Sequence, residues 1–141
     1  MLAARILLPL YLAVVGWVTL GPVPWRTLPN ETHFGVLGVR TWLDATTWTT
    51  GRPGEFLANI AMFVPLGILL RMAWPRLRAR YVALAVIAIA GAIEVAQLPL
   101  ERVSDPRDLV ANTLGGLAGL VIASRVAAQR RAARPAGGGA A

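Results

Sequence analysis

The chain has 141 residues, 56% of them hydrophobic and only 15% charged, where an ordinary soluble domain carries about 25% charged residues. It has no cysteine, which excludes a disulfide framework, a thiolate metal site and a cysteine nucleophile; the single histidine, His33, excludes His-pair zinc sites and argues against a Ser-His-Asp triad. The net charge of +7 arises from fourteen arginines and seven acids, without lysine, and because the arginines flank apolar runs it points to membrane topology and lipid headgroups rather than to nucleic acid.

Four apolar stretches approach the roughly 20 residues that cross about 30 Å of hydrocarbon. They are expected at about residues 6–21, 56–74, 81–100 and 108–126, giving an all-α integral membrane protein with a four-helix transmembrane bundle over 1–124. The first stretch follows Arg5 and is short enough to be a signal peptide. It is followed by Gly21-Pro22-Val23-Pro24-Trp25 rather than by a small-x-small cleavage site, so a retained helix is the expectation. The segment 26–54 is then a long loop with Trp42 and Trp48 in a Thr-rich run, and Trp25 just before it. Tryptophans beside a span anchor in the headgroup region; a ligand role for them is the alternative. The Asn30-Glu31-Thr32 sequon matters only in a glycosylating compartment. The end of the chain, 125–141, is basic and then rich in Ala and Gly, and reads as a disordered tail held near anionic lipid.

Arginine placement sets the expected orientation. With the N-terminus inside, the inner side holds Arg5, Arg71, Arg76, Arg78, Arg80, Arg125, Arg130, Arg131 and Arg134. The outer side holds only Arg26, Arg40, Arg52, Arg102 and Arg107. Both termini are therefore expected in the cytoplasm, with the protein in a bacterial-type plasma membrane.

Polar residues inside spans are costly and each requires a reason. Asn59 lies near the outer end of the second span, Glu94 and Gln97 near the outer end of the third, and Asp108 and Asn112 at the outer end of the fourth. At 1.5 Å of rise per residue they fall in one layer within about 10 Å of the outer boundary. Glu94 and Gln97, three apart, share a helix face. Asp105, Asp108, Asn112, Gly115 and Gly119 form one stripe on the fourth helix, and Gly115 and Gly119, with Gly116 beside them, make a small-xxx-small face for close helix approach. Pro65 would free a backbone carbonyl near Ala61 and bend the second helix around this layer. Structural readings stand beside these: Asp105-Pro106-Arg107-Asp108 is a helix start with Asp at N-cap and Pro at N1, and Asn59 and Asn112 would serve as packing glue by bonding each other. Glu94 is harder to explain structurally; it has to be protonated, paired with Arg102 or facing water.

The run Asn59-Ile-Ala-Met-Phe63-Val-Pro65-Leu-Gly67 and the later series Glu94-x-x-Gln97, Arg102-x-x-Asp105-x-x-Asp108-x-x-x-Asn112-x-x-Gly115-Gly116-x-x-Gly119 together resemble the VanZ-like family, small membrane proteins named after a teicoplanin-resistance factor. The resemblance covers 56–122. It implies a cell-envelope protein with a link to lipoglycopeptide tolerance, and it implies no assigned reaction. By the residue matches, Asn59, Glu94, Gln97, Arg102, Asp105, Asp108 and Asn112 are the candidate ligand-binding residues. Pro106 and Arg107 depart from the pattern, where apolar residues are expected.

Three functions compete. In a binding module, the polar layer and the outer loop hold the head of an amphiphile, such as a lipid-linked envelope precursor or a lipoglycopeptide, with Arg102 meeting an anionic group and Trp42 and Trp48 the apolar part. In an outer-leaflet enzyme, Glu94, Asp105 and Asp108 supply acid–base chemistry or oxygen ligands for a hard cation. No nucleophile arrangement supports this: Ser104 reads as an exposed loop residue without a nearby base. The enzyme therefore ranks below binding, with neither cofactor nor metal expected. In a structural role, the face of Gly115, Gly116 and Gly119 joins a helix of another membrane protein.

Overall fold

A computed structural model describes residues 1–21, 35–100 and 104–133. Four of its helices are long and apolar enough to cross a membrane: α1 (Leu2–Leu20), α4 (Pro53–Ala73), α5 (Ala79–Gln97) and α6 (Pro106–Ala132). Two five-residue helices, α2 (Val39–Leu43) and α3 (Ala45–Thr49), lie between α1 and α4. This is the expected all-α membrane architecture.

The helix ends differ from the hydropathy-based bounds for local reasons. Pro53 and Pro106 each occupy the first turn of their helix, where a missing N–H costs nothing, so both helices start before the apolar run does. Asp105 caps α6, accepting a 2.8 Å bond from the Arg107 amide. At the other end α6 continues to Ala132, through Ala, Gln and Arg residues of high helix propensity, with Arg130 and Arg131 in the last turn where the dipole favours them. Arg125, Arg130 and Arg131 thus stand on a helix, a correction to the expected disordered tail from residue 125. Residues 134–141 of that tail lie outside the described residues. Pro65 falls inside α4, which stays one helix from Pro53 to Ala73.

The α4 and α6 helices run parallel and pack backbone against backbone. A Cβ on Gly115 would overlap the Ile60 carbonyl, one on Gly119 the Val64 carbonyl, and one on Gly67 the Gly116 carbonyl. Gly116 faces the Val86 side chain of α5. The glycine stripe of α6 is therefore seated within the chain against α4 and α5, the close helix approach that its small-xxx-small spacing leads one to expect.

Antiparallel to this pair, α1 and α5 complete the bundle. Leu8 and Val15 of α1 are buried beside Phe63, Leu66 and Leu70 of α4 and Val82, Val86 and Ala90 of α5. The Tyr11 hydroxyl donates to the Met62 carbonyl at 2.6 Å, and Arg5 Nε to the Ala73 carbonyl at 3.1 Å.

The segment before α4 folds over one end of the bundle. Trp42 Nε1 donates to the Val36 carbonyl at 2.8 Å, Trp48 Nε1 donates to the Trp42 carbonyl at 3.1 Å, and the two rings lie 6.1 Å apart. The Thr46 amide and hydroxyl both donate to Asp44 at the start of α3 and hold its carboxyl below the usual range.

Candidate functional site

At the end of the bundle under this segment, α4, α5 and α6 bring the polar residues together. Asn59 of α4 is half-buried and donates from Nδ2 to Asp108 Oδ1 of α6 at 2.7 Å. Asn112 is one turn further along α6 and buried, 2% exposed. The Asn59–Asn112 bond expected as packing glue is therefore replaced by an Asn59–Asp108 bond.

Glu94 is 1% exposed and Gln97 7%. Glu94 Oε2 accepts from the Asp105 amide at 3.1 Å, just ahead of α6. Gln97 Nε2 donates to the Thr19 carbonyl at 3.2 Å, which ties the end of α5 to the end of α1. That bond also fixes the amide orientation, because only the NH₂ group can donate to a carbonyl. Arg102, one of the three alternatives raised for the Glu94 carboxyl, lies outside the described residues.

Three buried oxygens at this end have no hydrogen-bond partner among the described residues: Glu94 Oε1, Gln97 Oε1 and Asn112 Oδ1. All three are acceptors. Leaving one buried polar atom unsatisfied costs about 1–3 kcal/mol, so three open acceptors in one layer are a costly feature of this end of the bundle. Among the described residues no group of three His, Cys, Asp or Glu side chains converges to hold a metal ion.

Ser104 is the residue that sequence reasoning misjudged. It is buried, 2% exposed, rather than an exposed loop position. Its hydroxyl sits beside the Glu94 carboxyl and accepts from the Val36 amide at 3.2 Å. Gly35, at φ +43, passes so close that a Cβ there would lie 2.7 Å from the Ser104 Cβ. A continuous polar path thus leads from Glu94 through Ser104 and the Val36 peptide to Trp42. The two departures from the motif pattern also have places: Pro106 is fully buried, and Arg107 lies over the Phe56 ring at 5.9 Å and against Gly51.

The Asn-to-Gly run of α4 and the Glu-to-Gly series of α5 and α6 therefore meet in space, through the Asn59–Asp108 bond and the glycine contacts. A family model described as VanZ/LLP1 matches residues 8–127, from within α1 into the last part of α6. The chain belongs to the VanZ/LLP1 family. No curated protein and no solved structure matches it. The match takes in α1 and the Trp-bearing segment as well as the motif helices, so the whole bundle, not only α4 to α6, is the VanZ-like unit. The chain is a VanZ-like multi-pass membrane protein with four apolar helices.

Proposed function

We propose that this VanZ-like protein binds the polar head of an envelope amphiphile in the layer formed by Asn59, Glu94, Gln97, Asp108 and Asn112, with Asp105 at its edge. The layer faces the outer leaflet of the plasma membrane, with both termini cytoplasmic. The observation that carries the reading is the set of three buried acceptors without partners, Glu94 Oε1, Gln97 Oε1 and Asn112 Oδ1. Such a set complements a head rich in hydroxyl, amide or ammonium donors, as a lipid-linked envelope precursor or a lipoglycopeptide presents, and binding of either would contribute to glycopeptide tolerance. Trp42, half-buried, and Trp48, exposed, sit above the layer and offer apolar surface to the rest of the ligand. Arg102 adds a cation near the layer by its place in the sequence and meets any anionic group of the head.

The test is titration of the purified protein in nanodiscs with a lipid-linked cell-wall precursor and, separately, with teicoplanin. Gln97→Met and Asn112→Leu, which remove acceptors at similar volume, should each weaken binding by about tenfold, the loss of a single well-formed hydrogen bond in a buried site. Arg40→Ala should leave it unchanged. Wild type that binds neither probe, or acceptor variants that bind as wild type does, would remove the reading.

A further inference from the structure

The opposite end of the bundle is basic. Every acid among the described residues, Asp44, Glu55, Glu94, Asp105 and Asp108, lies at the polar-layer end or in the segment over it, while Arg5, Arg71, Arg76, Arg78, Arg80, Arg125, Arg130 and Arg131 lie at the other. There, a groove of about 480 Å³ runs along α1, lined by Arg5, Leu8, Pro9, Leu12 and Trp74. A second recess of about 180 Å³ shares Arg5 and Trp74 with it and adds Arg76. The two form one groove with arginines at its mouth and an apolar wall along α1.

The backbone around this mouth is braced by arginines. Arg5 is tied through Nε to the Ala73 carbonyl at the end of α4. Arg71 donates from Nη1 to the Pro75 and Leu77 carbonyls, both at 3.0 Å, and from Nε to Ser124 Oγ at 3.1 Å. The turn that carries Arg76 is therefore braced from both sides, and the negative end of the α4 dipole is already met by Arg5 and Arg71. Trp74, 41% exposed, stands between the charged mouth and the apolar wall, as an indole does at headgroup depth.

We propose that this groove holds one anionic phospholipid of the leaflet it faces, with the phosphate at Arg5 and Arg76 and an acyl chain along Leu8, Pro9 and Leu12. Charge complementarity selects the anionic headgroup: two arginines and no acid line the groove. The apolar wall selects a lipid over a free anion. The site is separate from the polar layer, and either could fail without the other.

Native mass spectrometry of the full chain, released from micelles containing phosphatidylglycerol and phosphatidylcholine of identical acyl chains, tests this. Wild type should retain one phosphatidylglycerol in preference to phosphatidylcholine by roughly thirtyfold, the selectivity expected of about 1 kcal/mol for each of two arginines at a lipid surface. Arg76→Gln, on an exposed side chain, should cut the preference about fivefold without disturbing the fold, and Arg5→Gln should cut it at least as far while also losing the bond to the Ala73 carbonyl. Leu12→Trp, which fills the apolar half, should lower retention of both lipids. Arg130→Gln removes the same charge from the same end but not from the groove, and should behave as wild type. No preference in wild type would overturn the proposal, as would an equal loss in Arg130→Gln, or displacement of the lipid by glycerol phosphate at concentrations that leave phosphatidylcholine bound.

Discussion

Asn59 on α4 and Asp108 on α6 are joined by a 2.7 Å bond between side chains that lie 49 positions apart in the chain. The bond sits at the start of two parallel helices whose next three turns touch through glycines, so it fixes the register at the point where the polar layer begins.

Replacing Asp108 separates the bond from the charge. Asp108→Asn keeps an acceptor for Asn59 and should leave thermal unfolding in detergent close to wild type. Asp108→Leu strands the half-buried Asn59 amide and should cost about 1–3 kcal/mol. Equal unfolding temperatures for Asn and Leu variants would show that the bond contributes nothing to the fold.

The glycines give a sharper contrast. Gly115→Ala and Gly119→Ala each drive a Cβ into a backbone carbonyl of α4 that cannot rotate away, and each should destabilise by about 1–3 kcal/mol, as overpacking does. Gly91→Ala meets nothing within 4 Å and sits within α5, so it should be neutral or stabilise by up to about 1 kcal/mol. Chemical denaturation of the three variants reads the difference directly.

Ser104→Ala should release the segment over the site. The buried Val36 amide loses its acceptor, at a cost of about 1 kcal/mol, and the Trp42–Val36 contact that hangs from it loosens. Faster amide exchange at residues 35–43, with α4 and α6 still protected, is the expected result. Unchanged exchange there would mean that the segment is held by other contacts.

The four spans and the polar layer were legible because hydrocarbon is unforgiving: each run had to be long and apolar, and Asn59, Glu94, Gln97, Asp108 and Asn112 each stood out against it. The partners were less legible. Whether Asn59 meets Asp108 or Asn112 depends on a shift of one helical turn, about 6 Å. That shift is set by which α4 carbonyls the α6 glycines touch, and no composition or spacing encodes it. Ser104 escaped because its burial depends on a distant turn at Gly35 folding onto it, a tertiary closure without local periodicity. The end of α6 was placed short because a charged, Ala-rich helix beyond the apolar run has no hydropathy signature, although its propensity supports it.

The glycine contacts also decide which parts of the bundle can move. With backbone seated on backbone, α4 and α6 can neither slide nor roll without a clash, and they form the frame of the molecule. By contrast, α1 and α5 rest on side chains, which can change rotamer, and the Gln97 amide bonded to the Thr19 carbonyl ties them at the polar end. Two of the three unpartnered acceptors are carried by α5. Any opening of the polar end that leaves the α4–α6 frame in place therefore runs along the α1–α5 seam, where the Gln97–Thr19 bond acts as a latch.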